Sequence, residues 1–447
     1  MTKDEAHKII KSLFESEYSE DNYIKFVANL LNYYDPINKV YENQYVRELF
    51  RSNIKQYKVL GTYKDAEGSK LDILSVVINQ VSTLTNARTT QRNFVADYLK
   101  RNNKESALVA FHVPNSKEWR LSFVKLEYSL ITDGNKVKTT EEITPAKRWS
   151  FLVGETEGSH TAQTRFVDLM VSEIKPTKKE IETAFDIEKV TNEFFTKYKE
   201  LFFQFKECLD VIIEKDKELK QEFTAKNISS IDFAKKTLGQ IVFLYFLQKK
   251  GWFGVLPNQN WGTGLKNFIR ELFNKREKYG KNFFNDVLEP LFYEALAQDR
   301  GESSLYQRLN NCRMPFLNGG LFEPMNDYQW ETTKLDIPDH IFSNSNKNKS
   351  GDIGDGILDV FDRYNFTVNE NEPLEKEVAV DPEMLGKVFE NLLEVKDRSS
   401  KGTFYTPRQI VHYMCQQSLI NYLTTQLGDL VPYADIDFLI NKEILFY

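Results

Sequence analysis

Hydrophobic and polar positions in the first part of the chain follow both helical and strand periods. Apolar residues at helical spacing predict helices over residues 23–34, 44–57 and 88–101. Runs rich in β-branched and aromatic residues predict strands over residues 71–78, 107–112 and 119–128. Residues 61–70, which include Asp65 and Gly68, are typical of a turn between paired strands. The pattern therefore predicts an α/β or α+β fold for residues 1–172.

The pattern becomes almost entirely helical in the middle of the chain. Apolar spacing predicts helices over residues 185–217, 231–250, 261–275 and 285–297. The second of these ends in Lys249-Lys250-Gly251, where cations suit the helix dipole and glycine can adopt a positive φ. A Pro- and Lys-containing segment at 174–179 and a polar run at 343–351 separate this part from its neighbours. We therefore predict domains over residues 1–172, 180–342 and 352–447.

Two helix starts are predicted near the C-terminal end. Asp381 can cap a helix whose first position is Pro382, ahead of an apolar stripe at residues 385–392. Farther on, Thr406 can cap a helix that begins at Pro407, and Gln409 can complete a capping box. The loop before this second helix would deliver small and aromatic residues to unpaired backbone N–H groups, which suit a ligand carboxylate. A well-capped surface helix without a ligand remains the plainer interpretation.

Composition narrows the class of protein. Of 447 residues, 41% are hydrophobic and 28% are charged, which is enough for a packed core. The three cysteines stand about a hundred residues apart, so neither a zinc site nor a disulfide framework is predicted. The net charge of -6 argues against a wholly electrostatic nucleic-acid binder but permits a local basic groove. Without an apolar run of bilayer length or an apolar signal core, we expect a cytoplasmic protein.

Several blocks of sequence resemble one family of DNA-modifying enzymes. Lys-Gly-Thr-Phe-Tyr-Thr-Pro-Arg-Gln-Ile-Val at residues 401–411 resembles the motif that opens the methyltransferase domain of type IIG restriction-modification enzymes, which methylate adenine. Further blocks similar to these enzymes occur in the same order upstream, at residues 243–252, 315–322, 361–368, 380–386 and 389–392. The resemblance covers the chain from about residue 71 onward and is strongest after residue 230.

This resemblance implies a cofactor, a substrate and an incomplete catalytic domain. The loop at Thr403, Phe404, Tyr405, Thr406 and Pro407 would line an S-adenosylmethionine pocket, at the helical start of a Rossmann-like methyltransferase domain. The family's Gly-rich cofactor loop and its Asn-Pro-Pro motif, which grips the flipped adenine, are not in the sequence. We therefore expect a truncated chain that is inactive alone. Its partners would be double-stranded DNA and a missing C-terminal portion for methylation and target recognition.

Enzymes of this type often carry an N-terminal nuclease, so a Mg²⁺ site is sought in the first domain. Such a nuclease needs an Asp and then a Glu-x-Lys on neighbouring strands. Asp72 can supply the first acid, but the same strand ends in Asn79 and Gln80, whose amides replace neither a carboxylate nor an ammonium. Lys125 and Glu127 occur in the inverted order and suit a solvated face. The prediction is a nuclease-like, degenerate domain, with an active Mg²⁺ nuclease as the alternative.

Candidate DNA contacts follow from cations and amides on the predicted helix at residues 88–101. Arg88, Gln91 and Arg92 can contact phosphates, although the same residues also suit a plain solvated helix face. Arg408 is a further candidate, and Lys249 and Lys250 are weaker ones. His160 opens a predicted helix, where a capping or loop-tying histidine is commoner than a catalytic one.

The leading hypothesis is thus part of a restriction-modification protein that methylates adenine N6 in duplex DNA during phage defence. A second hypothesis is a non-catalytic DNA-binding or assembly subunit of such a system. A third is a Mg²⁺-dependent DNA endonuclease, in which Asp72 is catalytic.

Overall fold

A computed structural model gives the architecture of most of the chain. It describes residues 1–80, 84, 87–127, 131–133, 136–138, 144–301, 304–317, 319–347, 352–368, 374–380, 382 and 408–441. The chain divides into two compact units, Met1–Pro382 and Glu383–Tyr447. Among the described residues, no helix is long and apolar enough to cross a membrane.

A seven-stranded mixed sheet organises the first unit, with strand order β1-β2-β3-β4-β5-β8-β11. Its strands are β1 Asp35–Glu42, β2 Ile54–Lys64, β3 Lys70–Ile78, β4 Ser106–His112, β5 Glu118–Glu127, β8 Thr144–Gly154 and β11 Glu375–Glu377. Strand β4 is parallel to β3, and β11 is parallel to β8, while the other neighbours are antiparallel. Two small hairpin sheets pair β6 Ile131–Asp133 with β7 Lys136–Lys138 and β9 Leu305–Tyr306 with β10 Cys312–Arg313.

The helices fall into groups around this sheet. Those of the first part are α1 Lys3–Phe14, α2 Glu20–Leu31, the short α3 Glu48–Arg51, α4 Arg88–Arg101 and α5 His160–Val171. Those of the middle part are α6 Lys178–Ala184, α7 Ile187–Lys215, α8 Lys217–Ala225, α9 Ser230–Lys249, α10 Phe268–Asn274 and α11 Ile357–Phe361. The second unit contributes α12 Arg408–Leu427 and α13 Tyr433–Asn441, which bury a small core of Ile420, Ile436 and Ile440.

Both faces of the sheet are covered by helices. On one face, Phe94 and Leu99 of α4 join a core cluster with Val76 and Val109. On the other face, aromatic side chains of α1 and α5 meet the sheet, and the rings of Phe14 and Phe151 lie 5.5 Å apart. A sheet covered on both faces buries continuous apolar runs, which explains why residues 71 and 73–78 of β3 are almost entirely buried. The fold class is therefore mixed α/β.

Several predicted elements are confirmed by the structure. The helix over residues 88–101 is α4, the strand over 71–78 is β3, and the helix over 231–250 is α9 within one residue at each end. Gly251 follows α9 with φ +65°, and a Cβ at this position would lie 2.4 Å from the carbonyl oxygen of Gly262. Glycine is required there by both conformation and space.

Two predicted helices are wrong in extent. Residues 44–57 contain only a 3₁₀ turn at Asn43–Tyr45 and the one-turn helix α3, after which β2 begins at Ile54. Pairing with β3 decided this segment, because its apolar residues fit a period of two as well as a helical one. Residues 261–275 form a helix only from Phe268, because Gly262 has φ +98° and Gly264 packs against the carbonyl oxygen of Phe253.

Strand β11 changes the picture of the domains. Residues 352–382, which the sequence assigned to the start of the third domain, belong to the first unit. Glu375, Lys376 and Glu377 pair with Arg148, Trp149 and Ser150 at the edge of the first domain's sheet. The domain boundaries at residues 172, 180 and 342 stay predictions.

Candidate functional site

The carboxylate of Asp72 on β3 is enclosed by three donors. The Lys104 Nζ lies 2.7 Å from Oδ1, the Thr62 hydroxyl donates to the same oxygen at 2.7 Å, and the Tyr98 hydroxyl donates to Oδ2 at 2.8 Å. The Asp72 side chain is 2% exposed, and that of Lys104 is 20% exposed. Burial, followed by the charge of Asp72, raises the pKa of Tyr98, so the phenol keeps the proton that it donates.

This environment does not fit a Mg²⁺ ion. Magnesium needs several oxygen ligands in near-octahedral geometry, usually with carboxylates free to face it. The Asp72 oxygens are held by an ammonium and two hydroxyls, and a cation there would have to displace Lys104. Among the described residues, no group of three or more His, Cys, Asp or Glu side chains is arranged to hold a metal. Asp72 of β3 and Lys104, in the loop between α4 and β4, therefore form a largely buried ion pair.

A second polar cluster lies on the same face of the sheet, toward its other edge. Cα pairing runs from Asp72 to Ala107, Val124, Arg148 and Glu375 across β3, β4, β5, β8 and β11. Around the far end of this row, five side chains are each at most 4% exposed: Arg92, Arg120, Arg148, Glu375 and Glu377. We call these five residues the arginine cluster.

Ion pairs and hydrogen bonds connect the arginine cluster. Arg120 Nη1 lies 2.9 Å from Glu377 Oε2, while Glu375 faces Arg92 at 3.5 Å and Arg148 at 3.9 Å. Arg148 also donates to the Ser122 hydroxyl and to the Arg88 carbonyl oxygen. Within the part of the chain that the structure describes, three buried guanidinium nitrogens have no hydrogen-bond partner: Nε of Arg92, Nη2 of Arg120 and Nη2 of Arg148. Glu375 Oε1 is likewise buried without a hydrogen-bond partner, so the cluster has three positive charges against two negative ones and incomplete hydrogen bonding on both sides.

The protonation equilibria show how costly this burial is. Burial lowers the pKa of Arg148 to about 10 despite the attraction of Glu375. Burial likewise raises the pKa of Glu375, and the neighbouring arginines only partly offset it. Glu377 differs: burial acts to raise its pKa, but the charge and hydrogen bond of Arg120 leave it below its ordinary value. For Glu377, the attraction of Arg120 together with a hydrogen bond from Thr367 outweighs the effect of desolvation on the pKa.

The structure places the sequence-predicted DNA contacts around this cluster. Gln91 is fully buried and Arg92 is 4% exposed, so phosphate contact by either side chain requires the packing to open. Arg88 is half-buried at the start of α4, and its carbonyl oxygen belongs to the cluster. Lys249 is paired with the buried Glu157 at 2.5 Å, while Lys250 lies over the ring of Trp252. These DNA-binding assignments stay predictions.

The remaining candidates are dispersed. Arg408 is the first residue of α12. Thr403, Phe404, Tyr405, Thr406 and Pro407 lie outside the described residues, as does the predicted helix over residues 385–392. Helix α12 begins at Arg408, one residue after the predicted helix start at Pro407. His160 is the first residue of α5, and its Nδ1 lies 4.0 Å from Asp352.

Three of the blocks that carry the family resemblance pack around α9. From the block at 243–252, the Tyr245 hydroxyl donates to Asp362 of the block at 361–368 at 2.6 Å, and Phe246 meets Phe366. Phe243 contacts Phe322 of the block at 315–322. These segments are far apart in sequence but form one contiguous piece of the first unit.

Sequence reasoning missed Lys104 and most of the arginine cluster. Arg120 and Arg148 alternate with apolar residues along their strands, which locally is the pattern of a solvated face, so the sequence did not show that both are buried. Glu375 and Glu377 alternate across a three-residue strand, too short to be detected by periodicity.

Comparison with known proteins gives one informative relative. The chain is 28% identical over 282 residues to a protein of Methanocaldococcus jannaschii named "Putative type II restriction enzyme and methyltransferase". The match covers 58% of this chain but 22% of the relative, so the chain spans about a fifth of that protein. No family model matches the sequence. No solved structure matches it.

Proposed function

We propose that this chain is the N-terminal part of a DNA restriction-modification protein that methylates adenine N6 in duplex DNA. The observation that carries the proposal is the 282-residue similarity to a protein whose name combines a restriction enzyme and a methyltransferase. The ordered blocks from residue 243 to 411 add the adenine-methylating, single-polypeptide type to this inference.

The surface of α12 supports a further portion of protein beyond this chain. Large apolar side chains of this helix are exposed, among them Ile410, Tyr413, Met414 and Tyr422. A helix that carries exposed apolar residues on several sides is normally buried in a larger core. The methyltransferase portion proposed here would supply that core.

The cofactor proposed for the complete enzyme is S-adenosylmethionine. Thr403, Phe404, Tyr405, Thr406 and Pro407 would form one wall of its pocket, and the N-terminal N–H groups of α12 would suit its carboxylate. The cofactor supplies the methyl group, while these residues would bind and orient it. The Gly-rich loop and the Asn-Pro-Pro motif would come from outside residues 1–447.

We propose that the front domain is nuclease-like in fold and does not cleave DNA through Asp72. The contacts of Asp72 with Lys104, Thr62 and Tyr98 support this, because they leave the carboxylate no free oxygen to bind a metal. The domain would then serve DNA binding and assembly.

The proposed function is tested by measuring methylated bases in DNA from cells that carry the natural gene and from cells that lack it. We expect N6-methyladenine that depends on the gene, measured by mass spectrometry of digested DNA. Methylation that needs a separate polypeptide in addition would favour the assembly-subunit hypothesis. Methylated cytosine in place of methylated adenine, or no gene-dependent methylation, would refute the proposal.

A further inference from the structure

The arginine cluster is unbalanced in charge and in hydrogen bonds. Three guanidinium groups face two carboxylates, and one nitrogen on each arginine finds no hydrogen-bond partner among the described residues. Burial of an ion carries a desolvation penalty, which apolar side chains of similar size would avoid. An excess of guanidinium charge over carboxylate charge, with donors still unused, suits the binding of further anionic groups.

The two carboxylates come from a short strand at the edge of the sheet. β11 has three residues in register with β8, and the Arg148 amide donates to the Leu374 carbonyl oxygen beside it. Downstream, Val378, Ala379 and Val380 are buried, and the Val378 amide donates to the Ser150 carbonyl oxygen. If the pairing of residues 374–377 with β8 opened, the hydrogen bonds of Val380 with Asn365 and Thr367, which do not involve β8, would still hold the chain.

Separation of β11 would uncover a compact set of phosphate-binding groups. Arg148 and Ser150 of β8 lie on the same sheet face as Arg120 and Ser122 of β5, and Ser122 pairs with Ser150. Arg92 reaches the same place from α4. Guanidinium groups interleaved with hydroxyls bind phosphate oxygens through charge-assisted hydrogen bonds, and arginine does so in bidentate geometry.

We propose that the arginine cluster is a binding site for the backbone phosphates of duplex DNA, and that Glu375 and Glu377 of β11 occupy it until DNA displaces them. The acidic strand acts as an internal mimic of the phosphates and keeps the site closed. The choice of DNA as the anion rests on the function proposed above. The contact is independent of base sequence, because phosphates carry no sequence information.

A reversible lock on β11 tests this directly in the full chain. Lys376 and Trp149 are paired across the two strands on the face opposite the cluster, at a strand spacing of about 4.8 Å that a disulfide can bridge. The double variant Trp149→Cys/Lys376→Cys can therefore be oxidised to fix β11 and reduced to free it. Lys376→Cys alone, treated identically, controls for the three natural cysteines.

Binding of a fluorescent DNA duplex is measured by anisotropy at several salt concentrations. We expect the oxidised double variant to bind at least about tenfold more weakly than its reduced form. Its log–log salt dependence should be shallower by up to about 3 units, because each lost phosphate contact removes roughly 0.9. The single variant should bind equally in both redox states.

Equal affinity and equal salt dependence of the locked and reduced forms would overturn the inference, and so would absence of binding in both. This outcome is separate from the methylation test, since a protein that methylates adenine without opening β11 would pass one and fail the other. As a second measurement, Glu375→Gln/Glu377→Gln should raise DNA affinity above that of the native chain. Unchanged or weaker binding by a folded double glutamine variant would count against the proposal.

Discussion

Single buried charges carry most of the chemical information in this chain. Asp72, Glu289 and the five residues of the arginine cluster are each at most 4% exposed, yet all bear ionisable groups. Some are matched by close partners, as Asp72 is by Lys104, and others are not. Buried charges with close partners of opposite charge stabilise the fold, whereas those with incomplete partners are candidates for ligand binding.

Asp72 belongs to the first kind, so its removal should damage stability. Asp72→Asn would leave the partly buried Lys104 ammonium without its carboxylate, and we expect a loss of about 2–3 kcal/mol in the free energy of unfolding. Urea denaturation measures this. Asp168→Asn is the matched control, because its ion pair with Lys3 is exposed and should contribute little. Unchanged stability of Asp72→Asn, together with loss of a Mg²⁺-dependent DNA cleavage present in the native chain, would restore Asp72 as a metal ligand.

Glu289 should make stability depend on pH. Burial raises the pKa of this carboxyl well above its ordinary value. The folded state therefore binds a proton at Glu289 that the unfolded state releases. The stabilisation that comes from this proton binding is fully present at low pH. That effect is lost as the pH rises from the ordinary pKa through the raised one.

The neutral side chain of Glu289→Gln should remove this dependence. We expect the variant to be more stable relative to the native chain at pH 8 than at pH 5, as measured by urea midpoints at both pH values. The exposed Glu331→Gln is the control. An identical difference at the two pH values would show that the pKa of Glu289 is not raised in the folded state.

At the scale of elements, local signals were sufficient where one periodicity dominated. Residues 88–101 and 71–78 have clear spacing, and α4 and β3 follow it. Residues 44–57 fit two periods, and only the long-range pairing of β2 with β3 selected the strand. Strand β11 exists because a distant sheet edge accepts it, which no local pattern of three residues records.

The candidate site divides in the same way. Asp72 and Arg92 were identified from their residue types and neighbours. Their partners are distant in sequence: Lys104 follows Asp72 by 32 positions (104 − 72), and Glu375 follows Arg92 by 283 (375 − 92). Such partners follow from strand order, which a single sequence does not specify. The loop from Thr403 to Pro407 was identified through family resemblance and stays a prediction.

The end of α9 offers a test of one element boundary. Gly251→Ala should destabilise the chain through both its positive φ and the contact with Gly262. Gly301→Ala is the matched control, because Gly301 has φ +67° but no atom within 4 Å of the added Cβ. We expect about 1 kcal/mol from strain at Gly301 and a further loss of about 1–3 kcal/mol at Gly251. Equal thermal stability of the two variants would show that the close approach is relieved at little cost.

For the whole molecule, we expect the two units of the chain to have different roles. The first unit would bind DNA through the sheet face that β11 covers, and the second would begin the methyltransferase. The segment that is 28% identical to the M. jannaschii protein covers about a fifth of that relative. The rest of the relative is long enough to contain a catalytic portion.

Tyr405 should matter for the cofactor in the complete protein. If the loop from Thr403 to Pro407 lines the S-adenosylmethionine pocket, Tyr405→Ala should weaken cofactor binding at least about tenfold by loss of one aromatic wall. Isothermal titration of the complete protein with S-adenosylmethionine measures this. Tyr33→Ala, an exposed tyrosine of the first unit, is the control. Equal affinity of the two variants would remove the loop from the pocket.

The central claim is that this chain belongs to an adenine methyltransferase of a restriction-modification system. The most direct measurement incubates the complete natural polypeptide with duplex DNA and S-adenosylmethionine that carries a labelled methyl group. The account predicts label in N6-methyladenine, and none when residues 1–447 are supplied alone. Label in another base, or no label in DNA from the complete polypeptide, would contradict it.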